Sequence, residues 1–216
     1  MAKDWFRKAN WNGVEQADFF TRLERCRTAY NKAQYLRIQA SYLEGIGSNE
    51  MLKAALELLE KMFAEFPEQT QLASAYTQKA SCLAKLGNIH EAIINYQLAL
   101  QTEREFPQVK THAFIDFGKL VAENRLAQFY DEALAVLGAE LNSRGIQFPC
   151  DTFNAFGIRS LIATSRGQIQ EAKEFAKVAL EAAAKIDSGL RYHPTVGLVH
   201  DKEAPFYKFV EAITHN

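Results

Sequence analysis

Acid–base chemistry needs an imidazole or a carboxylate within hydrogen-bond reach of a reacting group, and the chain sets those two types side by side at His200-Asp201. Neighbours in sequence seldom share a hydrogen bond with one nucleophile, so adjacency alone does not make a catalytic pair. His193, in Tyr192-His193-Pro194, could serve as a base or a ligand where the tail folds against a second polar cluster; otherwise it is a structural or solvated histidine. Cys150 follows Phe148-Pro149 at the expected start of a helix. The positive end of a helix can lower a thiol pKa, but the plainer role, packing, is the one expected. No GxSxG, HExxH or Walker A pattern occurs. His90, His112, His193, His200 and His215 lack the paired spacing of metal ligands. No metal and no cofactor is therefore expected, and an enzyme with a site around His193, His200 and Asp201 stands as the alternative to a binding protein.

Composition narrows the remaining classes. A formal net charge of -1 argues against a general polyanion binder. Lysine and arginine are spread along the chain with no basic–aromatic interleaving, so nucleic acid is not an expected partner. No apolar run approaches the roughly 18–20 residues of a membrane span, and no membrane association is expected. The start, Met1-Ala2-Lys3-Asp4-Trp5, lacks the apolar core of a signal peptide, which makes the cytoplasm the expected location. Cys26, Cys82 and Cys150 are odd in number and far apart, as suits free thiols in a reducing compartment. Abundant alanine, leucine, glutamate and lysine favour an all-helical chain.

The elements that would position any site recur with one period. Phe66-Pro67, Phe106-Pro107 and Phe148-Pro149 are separated by 40 and 42 residues, and Gly47, Gly87 and Gly167 by 40 and 80. Glycine takes the left-handed conformation that ends a helix, and proline suits the first turn of the next. Between these marks lie apolar-periodic runs, the clearest beginning Ala73 to Ala80 and stopping at Gly87-Asn88, then Glu91 to Leu100. Small residues, Ala80, Ala92 and Ala99, fall where two antiparallel helices would approach most closely. The third period lacks the glycine and carries a longer turn, Asn124-Arg125-Leu126-Ala127-Gln128-Phe129. Ahead of the repeats, Phe19, Leu23, Cys26 and Tyr30 share one face of a helix expected from Gly13 to Ala29. Beyond them, two glycines and a proline between Gly189 and Gly197 predict an extended or looped link. A short helix then starts at Pro205 with Phe206, Phe209, Val210 and Ile213 on one face.

With Ala73 as the first position, Ala80, Ala92 and Ala99 occupy the eighth, twentieth and twenty-seventh positions, with Tyr76 at the fourth and Tyr96 at the twenty-fourth. This closely resembles a tetratricopeptide repeat (TPR), and the chain resembles the stand-alone bacterial TPR proteins of unassigned role. The resemblance implies an all-α, right-handed superhelix of about four helix-turn-helix repeats with a period of about 40 residues. The repeats are expected at 32–66, 67–106, 107–148 and 149–187, between an N-terminal capping segment at 1–31 and, at 188–216, an extended segment with a capping helix.

In the family, the first helix of each repeat lines a concave surface that binds a peptide or protein partner. The implied lining residues are Gln34, Arg37 and Ser41, with Glu44, in the first repeat, and Ser74, Thr77 and Lys85, with Ser81, in the second. In the third they are His112 and Lys119, with Ile115 and Glu123; in the fourth, Asn154 with Leu161, Thr164 and Ser165. Some relatives clamp a C-terminal carboxylate with lysine and asparagine. Here those positions hold Arg37, Ser41, Gln78, His112 and Asp116, and Asp116 would repel an anion, so that clamp is rejected. The expected function is an adaptor, chaperone-like or immunity-type module. Neither partner identity nor oligomeric state follows.

Overall fold

The computed structural model describes residues 4–143 and 148–215, which form helices joined by turns; the described residues include no strand. They divide into two compact units, Met1–Ala113 and Phe114–Asn216.

The first unit begins with an irregular segment held down by aromatic packing. Trp5 lies 5.3 Å from Phe19 and 4.9 Å from Tyr35, between ring centroids, while Phe6 stacks on Tyr35 at 4.6 Å. The buried amide of Gln39 fixes this segment by a reciprocal pair. Its Oε1 accepts from the Lys8 backbone N–H at 2.8 Å, and its Nε2 donates to the Lys8 carbonyl at 2.8 Å. Helix α1, Gly13–Glu24, is capped by the Asn12 side chain and buries Phe19 and Leu23. It stops short of the expected end at Ala29. The reason is local: Thr28 is the N-cap of the next helix, its Oγ1 accepting from Asn31 N–H at 3.2 Å, so the chain must turn first. Cys26 and Tyr30 therefore do not extend the α1 face, and Tyr30 is 43% exposed.

Two helical hairpins follow. Helices α2, Ala29–Ile46, and α3, Asn49–Glu65, meet at Gly47, whose φ of 77° only glycine adopts cheaply. Ser48 caps α3. Helices α4, Gln69–Lys85, and α5, Ile89–Glu105, meet at Gly87 in the same left-handed conformation. Ala80, Ala92 and Ala99 are fully buried, and Tyr96 is nearly so. Absent side-chain bulk at these positions lets the backbones of α4 and α5 come together. The hairpins are stacked: α4 packs against both α2 and α3.

In the second unit, α6, Ala113–Glu123, leads through a one-turn 3-10 helix at Ala127–Phe129 into α7, Tyr130–Ser143. Arg125 has φ 53°, and Leu126 N–H donates to Val121 O at 3.0 Å. This is the helix-ending turn that glycine makes elsewhere, made here by an arginine. The segment Asn142-Ser143-Arg144-Gly145 predicts the end of this helix, and Arg144 and Gly145 lie outside the described residues. Helix α8, Pro149–Ser165, has proline in its first turn, and Asp151 accepts from the Phe148 N–H at 3.2 Å. After Gly167, helix α9, Ile169–Ala183, returns along α8. Ser160, buried at the small position, donates to Ala172 O at 2.8 Å and ties the two helices together. Helix α10, Pro205–His215, packs against α8 and α9, burying Phe206 and Val210 while Phe209 stays 52% exposed.

The link between α9 and α10 is a run of turns rather than an extended strand. Asp187 and Ser188 side chains cap local amides, and Ser188 N–H reaches Pro194 O at 2.8 Å, which curls the backbone on itself. The apolar content of this link, Tyr192 and Val196 included, predicts that it folds back onto the protein, yet Tyr192 and Val196 are 78% and 47% exposed.

Candidate functional site

The residues implicated by the repeat pattern fall on two surfaces, one in each unit. In the first unit they lie where α2 meets α4. Arg37 Nε donates to Gln71 Oε1 at 2.7 Å and its Nη1 to Gln78 Oε1 at 3.5 Å, while Gln78 Nε2 donates to the Arg37 carbonyl at 3.4 Å. Burial pulls the guanidinium pKa down, and the glutamine oxygens replace part of its lost hydration. Further along, one oxygen of Glu44 accepts from Ser81 Oγ at 2.6 Å and from Lys85 Nζ at 2.8 Å. Thr77 donates to Ala73 O at 2.8 Å and lies 3.1 Å from the Thr111 hydroxyl. Thr111 in turn is gripped through its N–H and Oγ1 by the buried carboxylate of Glu103. Arg37 and Lys85 are thus engaged by neighbouring side chains, not free charges. Ser41, Lys85 and His112 are exposed, and Gln34 and Ser74 are half-buried.

Gln71, buried and bonded to Arg37, is the member of this row that the repeat pattern does not single out. Its spacing of seven from Gln78 puts both amides on one face of α4, which was the available signal.

In the second unit the structure gathers Glu123, Leu161, Thr164 and Ser165 around one recess of about 520 Å³, with Arg125, Tyr130 and Phe209 completing the wall. The hydroxyls of Thr164 and Ser165 donate to Ser160 O and Leu161 O at 2.9 and 3.0 Å. Their remaining lone pairs are what the helix surface offers a ligand. Glu123 is exposed as a residue, yet its carboxyl group loses enough water against the wall for its pKa to rise. One turn earlier on α6, Lys119 is half-buried with its ammonium 4.5 Å from the Phe206 ring centroid, and burial lowers its pKa. Asn154 lies half-buried on α8.

None of the residues considered for catalysis lines the recess of the second unit. His193, His200 and Asp201 are exposed on the turns before α10, and Asp201 Oδ1 accepts from the Glu203 N–H at 2.9 Å. Cys150 is not an activated thiol. Burial and the adjacent Asp151 raise its pKa, outweighing the helix start; its N–H donates to Gly197 O at 2.8 Å. The Cys82 thiol is pushed up to about 12 by burial and by Glu44. Among the described residues no group of three or more His, Cys, Asp or Glu is placed to hold a metal ion, and no helix is long and apolar enough to cross a membrane. Compared with known proteins, the chain matches no family model, no curated protein and no solved structure.

Proposed function

We propose that the chain is a TPR-like protein-interaction module whose first helices present a polar surface to a peptide or protein partner. The observation that carries this reading is the side-by-side contact of α2 and α4, the first helices of successive hairpins, through Arg37, Gln71 and Gln78. First-helix stacking is the contact by which a helical solenoid grows, and it gives successive repeats a common face. Hydrogen bonds hold Arg37, Thr77 and Lys85 in fixed positions, which lowers the entropy lost on binding; Gln34, Ser41 and Ser74 stand beside them on the same two helices. Lys119 and Asn154, on α6 and α8, are the candidate contacts of the second unit, and His112 is exposed just ahead of α6.

Ser41 provides the test, being exposed on α2. In the Ser41→Trp protein the indole should obstruct the face without entering the core. Affinity capture with the full chain from its source cells should recover a partner that Ser41→Trp fails to recover at an unchanged melting temperature. Recovery of the same proteins by both would place the interaction elsewhere.

A further inference from the structure

Helix α10 is seated on α8 at a position made for it. Gly157 lies in the interior of α8, where glycine weakens a helix by about 0.5–1 kcal/mol relative to alanine. A Cβ there would come within 2.9 Å of the Phe206 ring and 3.0 Å of Val210 Cγ2. The missing side chain is thus the socket for the ring. Phe153 closes one side edge-on at 5.7 Å between centroids, and Lys119 of α6 covers the ring at 4.5 Å. Gly118 of α6 lies against Ile158 of α8, a Cβ there meeting Ile158 Cδ1 at 3.0 Å, and α9 completes the seat by packing along α10. Beside this seat the recess at Glu123 and Leu161 is only partly filled, with half-exposed Phe209 on its wall.

The tether argues that this seat can be vacated. Residues 184–204 form turns and are mostly exposed, and their described backbone bond to α8 is that from Cys150 N–H to Gly197 O. The α8–α9 hairpin has its own closure through Gly167 and Ser160, independent of α10.

We propose that α10 is a built-in, displaceable occupant of a seat formed by α8 and α9 with Lys119 of α6, and that this seat takes in its place an amphipathic partner helix carrying an aromatic residue followed four positions later by a branched aliphatic one. The occupant is defined by what already sits there: Phe206 and Val210 are one helical turn apart and enter together. This inference rests on reading the first helices of the second unit as a binding face, and it adds both the partner's form and its control.

The probe is a fluorescent synthetic peptide spanning residues 203–215, titrated into full-length proteins. Phe206→Ala should empty the seat and bind the peptide at least about tenfold tighter than the parent, because internal occupancy lowers apparent affinity by the fraction of vacant molecules. Gly157→Ala should also loosen α10, yet bind the peptide at least about tenfold more weakly than Phe206→Ala, because the added methyl fills the socket. In the parent, amide exchange of α10 should proceed through openings that leave α8 and α9 protected. Equal peptide affinity for the parent and Phe206→Ala would overturn the proposal, as would equal affinity for the two variants. Loss of α8–α9 helicity in either variant, or exchange of α10 only on global unfolding, would make α10 a permanent part of the core. None of these failures bears on the α2–α4 face, which Ser41→Trp tests separately.

Discussion

Ala92 and Arg125 show how much a single position can carry. Ala92 is fully buried between α4 and α5, with no space for added bulk. Ala92→Leu should cost about 1–3 kcal/mol, the usual penalty for overpacking, read as a lower urea midpoint. Arg125 holds φ 53° at a turn where Gly47, Gly87 and Gly167 hold 77°, 83° and 74°. A side chain in this conformation costs roughly 1–2 kcal/mol, partly offset in any replacement by the flexibility glycine adds to the unfolded chain. Arg125→Gly should therefore raise stability by about 0.5–1 kcal/mol, and no gain in urea unfolding would mean that the turn is not strained. The same residue explains why the third turn was the least legible of the set: its helix-ending geometry is ordinary, but the amino acid that normally marks it is replaced. The glycines and the small residues Ala80, Ala92 and Ala99 were legible because backbone conformation and close approach each admit few side chains. The pairing of Arg37 with Gln71 was not, since it depends on how α2 and α4 are rotated about their axes.

At the level of elements, hairpins were easier to read than their flanks. Helices α2 to α5 follow the glycine and proline punctuation closely. Helix α1 does not reach Ala29, because an apolar period continuing through Cys26 and Tyr30 looks helical while Thr28 caps the next helix. The N-terminal segment before α1 has no periodicity of its own, and its position is set from outside by Gln39. Gln39→Ala should remove both bonds to Lys8 and cost about 1–3 kcal/mol. Its signature should be local: Lys8 amide exchange should accelerate more than exchange within α4 and α5. Uniform acceleration would show that the amide supports the whole unit rather than the segment. The seat of α10 had a sequence signal that spacing alone could not interpret: Gly157 is a glycine inside a helix, and only the Phe206 ring opposite it explains the choice.

At the scale of the whole chain, the two compact units differ in what reports on them. Both tryptophans, Trp5 and Trp11, lie in the first unit, in contact with Phe19. Tryptophan fluorescence, excited selectively over tyrosine, therefore follows the first unit alone, whereas far-UV circular dichroism follows helices in both. The urea transitions seen by the two methods should have different midpoints, and coincident curves would show a single cooperative unit. The exposed turns between α9 and α10 carry a separate consequence. Arg191 is exposed there, open to cleavage by trypsin. Cutting after it would leave α10 in its socket but convert a concentration-independent occupancy into an ordinary dissociation equilibrium. While tethered, α10 faces its seat at an effective concentration on the millimolar scale expected of a short flexible link. Once cut, dilution below the dissociation constant would release it, so proteolysis at one exposed loop would turn a structural helix into a diffusible ligand.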